Sequence, residues 1–183
     1  FKQKTAYEIY QCDWSSDVCS SDLAVFETPA SLILDNGLPY DRCHVGLVTD
    51  MGGHEALAHH DITEAEQLYR VLRTQIDVVL SDGVGVLNGN DERVAEMAGL
   101  CDGEVLFYAC EGADGLPACV ADHLSQGGRA AVMAGQRVSL RNGASEQGAI
   151  ELGQILQRRG QSAGPARLQA LLAAVATAWA FGI

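Results

Sequence analysis

Lysine is missing from almost the whole chain. Both lysines, Lys2 and Lys4, fall in the first 23 residues, and the other 160 carry ten arginines. That excludes a lysine nucleophile, a Schiff base and a phosphate-loop lysine from residues 24–183. Basic charge is scarce as well, with 12 Lys and Arg against 24 Asp and Glu and a formal net charge of −12. Neutralising phosphates needs a basic face, so this balance speaks against nucleic acid and anionic membrane as partners. Long apolar runs are absent too. The longest uncharged stretch, residues 168–183, falls short of the roughly 20 residues of a membrane-spanning helix and reads as a buried helix. The start lacks the charged, apolar and small-residue order of a signal peptide, so the six cysteines read as reduced thiols of a cytoplasmic protein. Residues 24–183 hold no Cys-x-x-Cys pair. Cys101, Cys110 and Cys119, nine apart, therefore read as buried thiols and not as a zinc ribbon.

What is present is a globular composition, 48% apolar over 183 residues, enough for one domain with a core. The first 23 residues, FKQKTAYEIYQCDWSSDVCSSDL, follow neither helical nor alternating order. The run from Asp13 to Leu23 resembles the conceptual translation of a common sequencing-library adapter, with residues 2–9 as its primer portion. Sequence of that kind is set aside from fold reasoning, together with Cys12, Trp14 and Cys19.

From Ala24 onward, short apolar runs alternate with amphipathic ones, the order of a parallel sheet covered by helices. Residues 24–26 read as a strand stub and residues 45–49 as a second strand. Thr63 and Glu66 stand at capping-box spacing. Ala65, Leu68, Tyr69, Leu72, Ile76 and Val79 then share one helical face, and Ser81, Asp82 and Gly83 end that helix. Residues 84–87 read as a strand, 92–100 as a short helix, and 104–108 as a strand after Asp102 and Gly103. A helix is expected at 117–125, and then a hairpin pairing 129–133 with 137–140 across Ala134 and Gly135. A segment rich in Gly, Ser and Gln leads to the last helix. The expected fold is α/β, an incomplete three-layer and mostly parallel sheet with a small β-hairpin, cut at both ends.

Several stretches could carry chemistry. His54, Glu55, His59 and His60 suggest zinc until the spacing is counted. His54 and His59 are five apart, about 500° of helical rotation, and so face different ways, whereas a metalloprotease helix places its histidines four apart. Asp82 to Leu87, DGVGVL, lacks a third glycine and precedes a strand where a phosphate loop would follow one, so it reads as a turn. The strand ends are better candidates. Glu27 follows the first stub, and Asn88 to Asp91, NGND, follows the third strand. In open α/β sheets ligands bind beyond the carboxyl ends of the strands, although Asn-Gly-Asn-Asp is equally a turn and a helix cap.

At these residues a family resemblance emerges. AVFETPASLILDNG at 24–37, LPYDRCHVGLVTDM at 38–51, VLNGNDERVAEMA at 86–98, GGRAA at 127–131 and LAAVATAWAFGI at 172–183 resemble, in order and spacing, the C-terminal Mur-ligase-like domain of the cyanophycin synthetase family. The resemblance implies most of a central nucleotide-binding domain of Mur ligase type. It further implies an ATP- and Mg2+-dependent amide ligase that activates an aspartate side-chain carboxylate as an acyl phosphate and joins it to the α-amine of arginine. ATP, arginine and an aspartate-containing polymer are the implied partners.

Carried over by position, Glu27 matches a carboxylate that helps hold magnesium. His54 matches the histidine of the family's Asp-His-Leu segment, Asn88 the asparagine of Leu-Asn-x-Asp-Asp near the adenine, and Asp91 that segment's last aspartate. The chain departs from the pattern at Pro29-Ala30-Ser31-Leu32 for Ala-Arg-Gly-Gly, at Asp50 and Gly53, and at Gln169 and Ala170 for a Glu-Asn pair. The family's Gly-x-x-Gly-Lys-Thr loop would precede Ala24, where adapter-like sequence stands. A fragment without that loop is expected to be inactive and to bind ATP weakly. A sheet lacking its first strands is also expected to be poorly soluble. Two other readings stay open, a non-catalytic α/β module binding a nucleotide or a protein, and another Mur-type ligase with a different acceptor. Subunit number is not fixed by the sequence.

Overall fold

The computed structural model describes residues 23–158, 160 and 164–183, and the adapter-like residues up to 22 lie outside them. The chain divides into two compact units, residues 1–41 and 42–183. In the first, helix α1 (Ala30–Asn36) follows Pro29, and the Phe26 and Tyr40 rings approach with centroids 5.6 Å apart. Residues 24–26 form no strand, which corrects the expected stub. A strand needs a neighbour, and the described residues of this unit supply none.

The second unit is built on one six-stranded sheet whose spatial order follows the chain, β1 (Cys43–Val48), β2 (Val79–Asn88), β3 (Glu104–Cys110), β4 (Arg129–Ala134), β5 (Arg137–Asn142) and β6 (Ser145–Glu151). The first four are parallel, and β5 and β6 continue antiparallel. The α/β, mostly parallel expectation holds. Helices α2 (Ala65–Leu72), α3 (Thr74–Asp77), α4 (Glu92–Glu96) and α5 (Ala118–Ser125) fill the parallel crossovers. Helices α6 (Leu152–Arg158) and α7 (Pro165–Ala180) follow the last strand.

Side chains alternate across a strand, so each strand of the parallel half serves two layers. Val84 and Val86 of β2, Leu106 and Tyr108 of β3, and Ala131 and Met133 of β4 pack with Leu168, Leu172, Ala173 and Ala176 of α7 and Leu152 and Leu156 of α6. The intervening Leu87, Phe107, Ala130 and Val132 are also buried. One stripe of α7 is therefore buried, while Ala166, Ala170 and Ala174 remain exposed. Among the described residues no helix is long and apolar enough to cross a membrane.

The long amphipathic helix expected from Thr63 to Val79 is broken. Helix α2 ends at Leu72, α3 at Asp77, and Val79 opens β2. Its capping box lies one residue later, with Glu64 as N-cap and Gln67 at N3; Gln67 Oε1 accepts from Thr63 N at 2.8 Å and Glu64 N at 3.0 Å. Ser81, Asp82 and Gly83 lie within β2 and do not end a helix. The β1 partner shifts from Val79 to Val84 between Cys43 and Val45, and a Cβ on Gly83 would sit 2.5 Å from His44 O. The turn-like composition thus marks an irregularity inside a strand where two backbones nearly touch. The β4–β5 hairpin forms as expected. The Gly/Ser/Gln-rich segment after it is strand β6, which sequence reading missed. Cys43, Cys101, Cys110 and Cys119 are half-buried and free, less enclosed than expected, with Cys101 Sγ donating to Glu104 O at 3.7 Å.

Candidate functional site

Parallel strands end on one edge, so β1 to β4 deliver residues 49–51, 88–91, 110–111 and 133–134 to the same rim. At its centre is the turn Asn88-Gly89-Asn90-Asp91, which follows β2 and opens α4. Asn88 Nδ2 donates to Thr49 O at 2.7 Å, and its Oδ1 accepts from Asn90 N at 3.0 Å. Asp91 caps α4, with Oδ1 accepting from Arg93 N at 3.0 Å and Val94 N at 3.2 Å. Its Oδ2 reaches across to accept from Met51 N at 3.1 Å. Asn88 and Asp91 together bind the end of β1 to the end of β2.

Asn90 does the same toward β3. Its Nδ2 donates to Cys110 O at 3.0 Å and its Oδ1 accepts from Cys110 N at 2.7 Å. Gly89 is buried beneath. Its N–H donates to Tyr108 O at 2.8 Å, and its carbonyl accepts from Cys119 Sγ of α5 at 3.5 Å. A Cβ here would strike Val120 Cγ2, so glycine is required by contact and not by backbone angle. The lacing continues to β4 through Glu111 N, which donates to Met133 O at 2.8 Å.

Tyr108 closes the rim from below. It is 3% exposed, and its hydroxyl donates to Thr49 O at 3.4 Å. Burial first, then the nearby Asp50, Cys110 and Asp91, holds the phenol well above its ordinary range. Burial likewise raises the thiols of Cys110 and Cys119, so phenol and thiols are neutral near pH 7. Asp50 is exposed and accepts from Thr49 Oγ1 and Gly52 N, both at 2.9 Å.

His54 is half-buried at the head of a 3-10 segment, His54–His60, a few residues beyond Met51. Glu27 belongs to the first unit, where it is exposed just ahead of α1. The structure thus brings Asn88 and Asp91 together at the β1 end, without joining His54 to them, and Glu27 stands in the other unit. Sequence reading singled out the run Asn88 to Asp91, took Cys110 only as a buried thiol, and passed over Thr49, Met51 and Tyr108.

The rim's donor set is mostly amide and carbonyl. Among the described residues no group of three or more His, Cys, Asp or Glu is arranged to hold a metal. Both oxygens of Asp91 are already engaged, so the rim is no preformed cation cage.

Comparison with known proteins agrees with the resemblance in the sequence. A cyanophycin synthetase of Crocosphaera subtropica is 33% identical over 122 residues, 67% of this chain and 14% of that protein. One of Geminocystis herdmanii is 32% identical over 111 residues, 61% of this chain and 12% of that protein. Over this stretch the chain is a relative of the cyanophycin synthetases. The cyanophycin synthetase of Synechocystis sp. matches at 32% over 122 residues, and the chain spans about 14% of the length of such relatives. No family model matches the chain. Among solved structures, the UDP-N-acetylmuramoylalanyl-D-glutamyl-2,6-diaminopimelate--D-alanyl-D-alanyl ligase of Acinetobacter baumannii overlaps 76% of this chain and 26% of that one, at 19% identity and a TM-score of 0.46.

Proposed function

We propose that this chain is a piece of the nucleotide-binding domain of an ATP-dependent amide ligase, with the 88–91 rim forming the base-side wall of the nucleotide site. The observation that supports it most is the convergence of Asn88, Asn90 and Asp91 at the carboxyl edge of four parallel strands, in a chain related to the cyanophycin synthetases. In this reading Asn88 and Asp91 act mainly by holding the rim. Their side chains fix residues 49–51 so that backbone carbonyls and amides face a bound nucleoside.

ATP supplies the phosphoryl group that turns a carboxylate into a good acyl donor, since a free carboxylate has no leaving group. The proposed reaction joins the α-amine of arginine to an aspartate side chain of a polymer. Mg2+ belongs to the same proposal, with Glu27 and His54 as the candidates on the metal side by their position in the resemblance. Magnesium takes one or two carboxylates and keeps several waters.

The 183 residues contain no Gly-x-x-Gly-Lys-Thr, so this chain alone is expected neither to hydrolyse ATP nor to incorporate arginine. What it can retain is weak recognition of the nucleoside end. Saturation-transfer NMR with millimolar AMP should show contact from the adenine protons to the wild-type chain, weakened in Asn88→Ala. Transfer of equal strength in both, or none to the wild type, would overturn the assignment.

A further inference from the structure

Asn-Gly occurs three times in the chain, at 36–37, 88–89 and 142–143. Asparagine is thermolabile, and most of all before glycine, whose amide nitrogen is not crowded by a side chain. That nitrogen attacks the side-chain carbonyl carbon of the asparagine. A nitrogen–carbon bond forms, ammonia leaves, and a five-membered succinimide remains. Water then opens the ring at either carbonyl, giving aspartate or isoaspartate. The attack needs a side chain free to swing back onto the main chain and a glycine N–H released from other partners.

The three sites differ in how firmly they withhold those conditions. Asn36 and Asn142 are exposed, and among the described residues neither side chain makes a hydrogen bond. Asn36 ends α1, a helix with no buried residue, and Asn142 ends β5 at the turn into β6. Their glycine amides are held by one bond each, Gly37 N to Ile33 O and Gly143 N to Gly128 O, both at 2.8 Å. Ends of this kind open readily. Asn88 is half-buried, and its amide is held at both atoms, with Nδ2 donating to Thr49 O at 2.7 Å and Oδ1 accepting from Asn90 N at 3.0 Å. Gly89 is buried, its N–H committed to Tyr108 O and its carbonyl to Cys119 Sγ. For Asn88 to react, both side-chain bonds and the Gly89 N–H bond must break together, which amounts to opening the rim.

We propose that Asn88-Gly89 is a latched site of self-modification. The bonds that join the ends of β1, β2 and β3 also block succinimide formation, and opening of the rim is recorded irreversibly as aspartate or isoaspartate at position 88. Either product replaces the donor to Thr49 O with carboxylate oxygen, and isoaspartate also lengthens the main chain by one carbon between residues 88 and 89. A rim modified in this way does not regain its geometry. The inference holds whatever the rim binds.

The test keeps the full 183-residue chain at mildly alkaline pH and 37 °C, in native buffer and in guanidinium chloride, and follows the three sites by peptide mass spectrometry with isoaspartate resolved by chromatography. Native structure should slow conversion at Asn88 at least about tenfold more than at Asn36 or Asn142. Equal slowing at all three would overturn the latch, as would slow conversion of Asn88 in denaturant. Asp91→Ala, which removes the neighbouring tie to Met51, should speed native conversion at Asn88 several-fold and leave Asn142 unchanged. An unchanged Asn88 rate in that variant would contradict the proposal. Should Asp91→Ala fail to fold, the native and denatured rates of the wild-type chain decide.

Discussion

The two halves of the sheet end differently. At the carboxyl edge of β1–β4, each strand end is joined to the next, by side chains from β1 through β3, with Asn88, Asn90 and Asp91 doing most of it. The β4–β5–β6 meander turns on short glycine-containing links, and its side-chain ties include the exposed pairs of Arg137 with Glu146 and Glu151 and the Ser139 hydroxyl donating to Val132 O at 3.5 Å. A hairpin brings its ends together through the chain itself, whereas parallel ends are separated by whole helices and need other groups to fix them. A rim assembled from distant segments is accordingly where polar side chains gather, and where a ligand finds several backbones within reach.

Four changes would break or sharpen that contrast. The largest effect is expected from the shared core beneath the rim. Leu106 is fully buried, and Leu106→Ala should cost about 3 kcal/mol in denaturant unfolding, well beyond any change in the meander's surface pairs. Next is Asp91→Ala, which removes both the α4 cap and the link to Met51. It should cost about 1–2 kcal/mol, and the Met51 amide should lose exchange protection.

Alkaline pH comes third. Tyr108, Cys110 and Cys119 have raised folded-state pKa values, so each contributes stability that is complete below its unfolded pKa and lost as pH rises through the folded one. Stability should fall above about pH 9 as the thiols begin to titrate in the unfolded chain, and more steeply above about pH 10 with the phenol. Tyr108→Phe should flatten the upper part of that curve, and an unchanged slope would contradict the assignment. The smallest effect is expected at Arg137, whose ion pairs are exposed. Arg137→Ala should change stability by less than about 1 kcal/mol, so a loss as large as that of Asp91→Ala would erase the contrast.

Legibility divides along the same line. The parallel strands are near-continuous apolar runs such as Val84 to Leu87 and Leu106 to Ala109, and their existence and approximate position follow from that pattern. Strand β6 reads SEQGAIE, has no buried position and has one partner, so its sequence carries no signal that burial would have imposed. The α2–β2 region was misread because Ile76 and Val79 fall on α2's helical face by spacing, while the tertiary structure buries them in α3 and β2. At the rim, the run Asn88 to Asp91 is legible as a strand end and equally as a turn and helix cap. Their reach across to Thr49 and Met51, some 40 positions earlier, is a product of the parallel register and could not be read locally. Asn90's pairing with Cys110 is invisible for the same reason.

The most direct measurement is amide shift mapping of the full chain titrated with AMP to several millimolar. The account predicts saturable shifts at residues 49–51, 88–91 and 110–111, with β5 and β6 undisturbed. Shifts centred on the meander, or none at the rim while the spectrum stays dispersed, would contradict it.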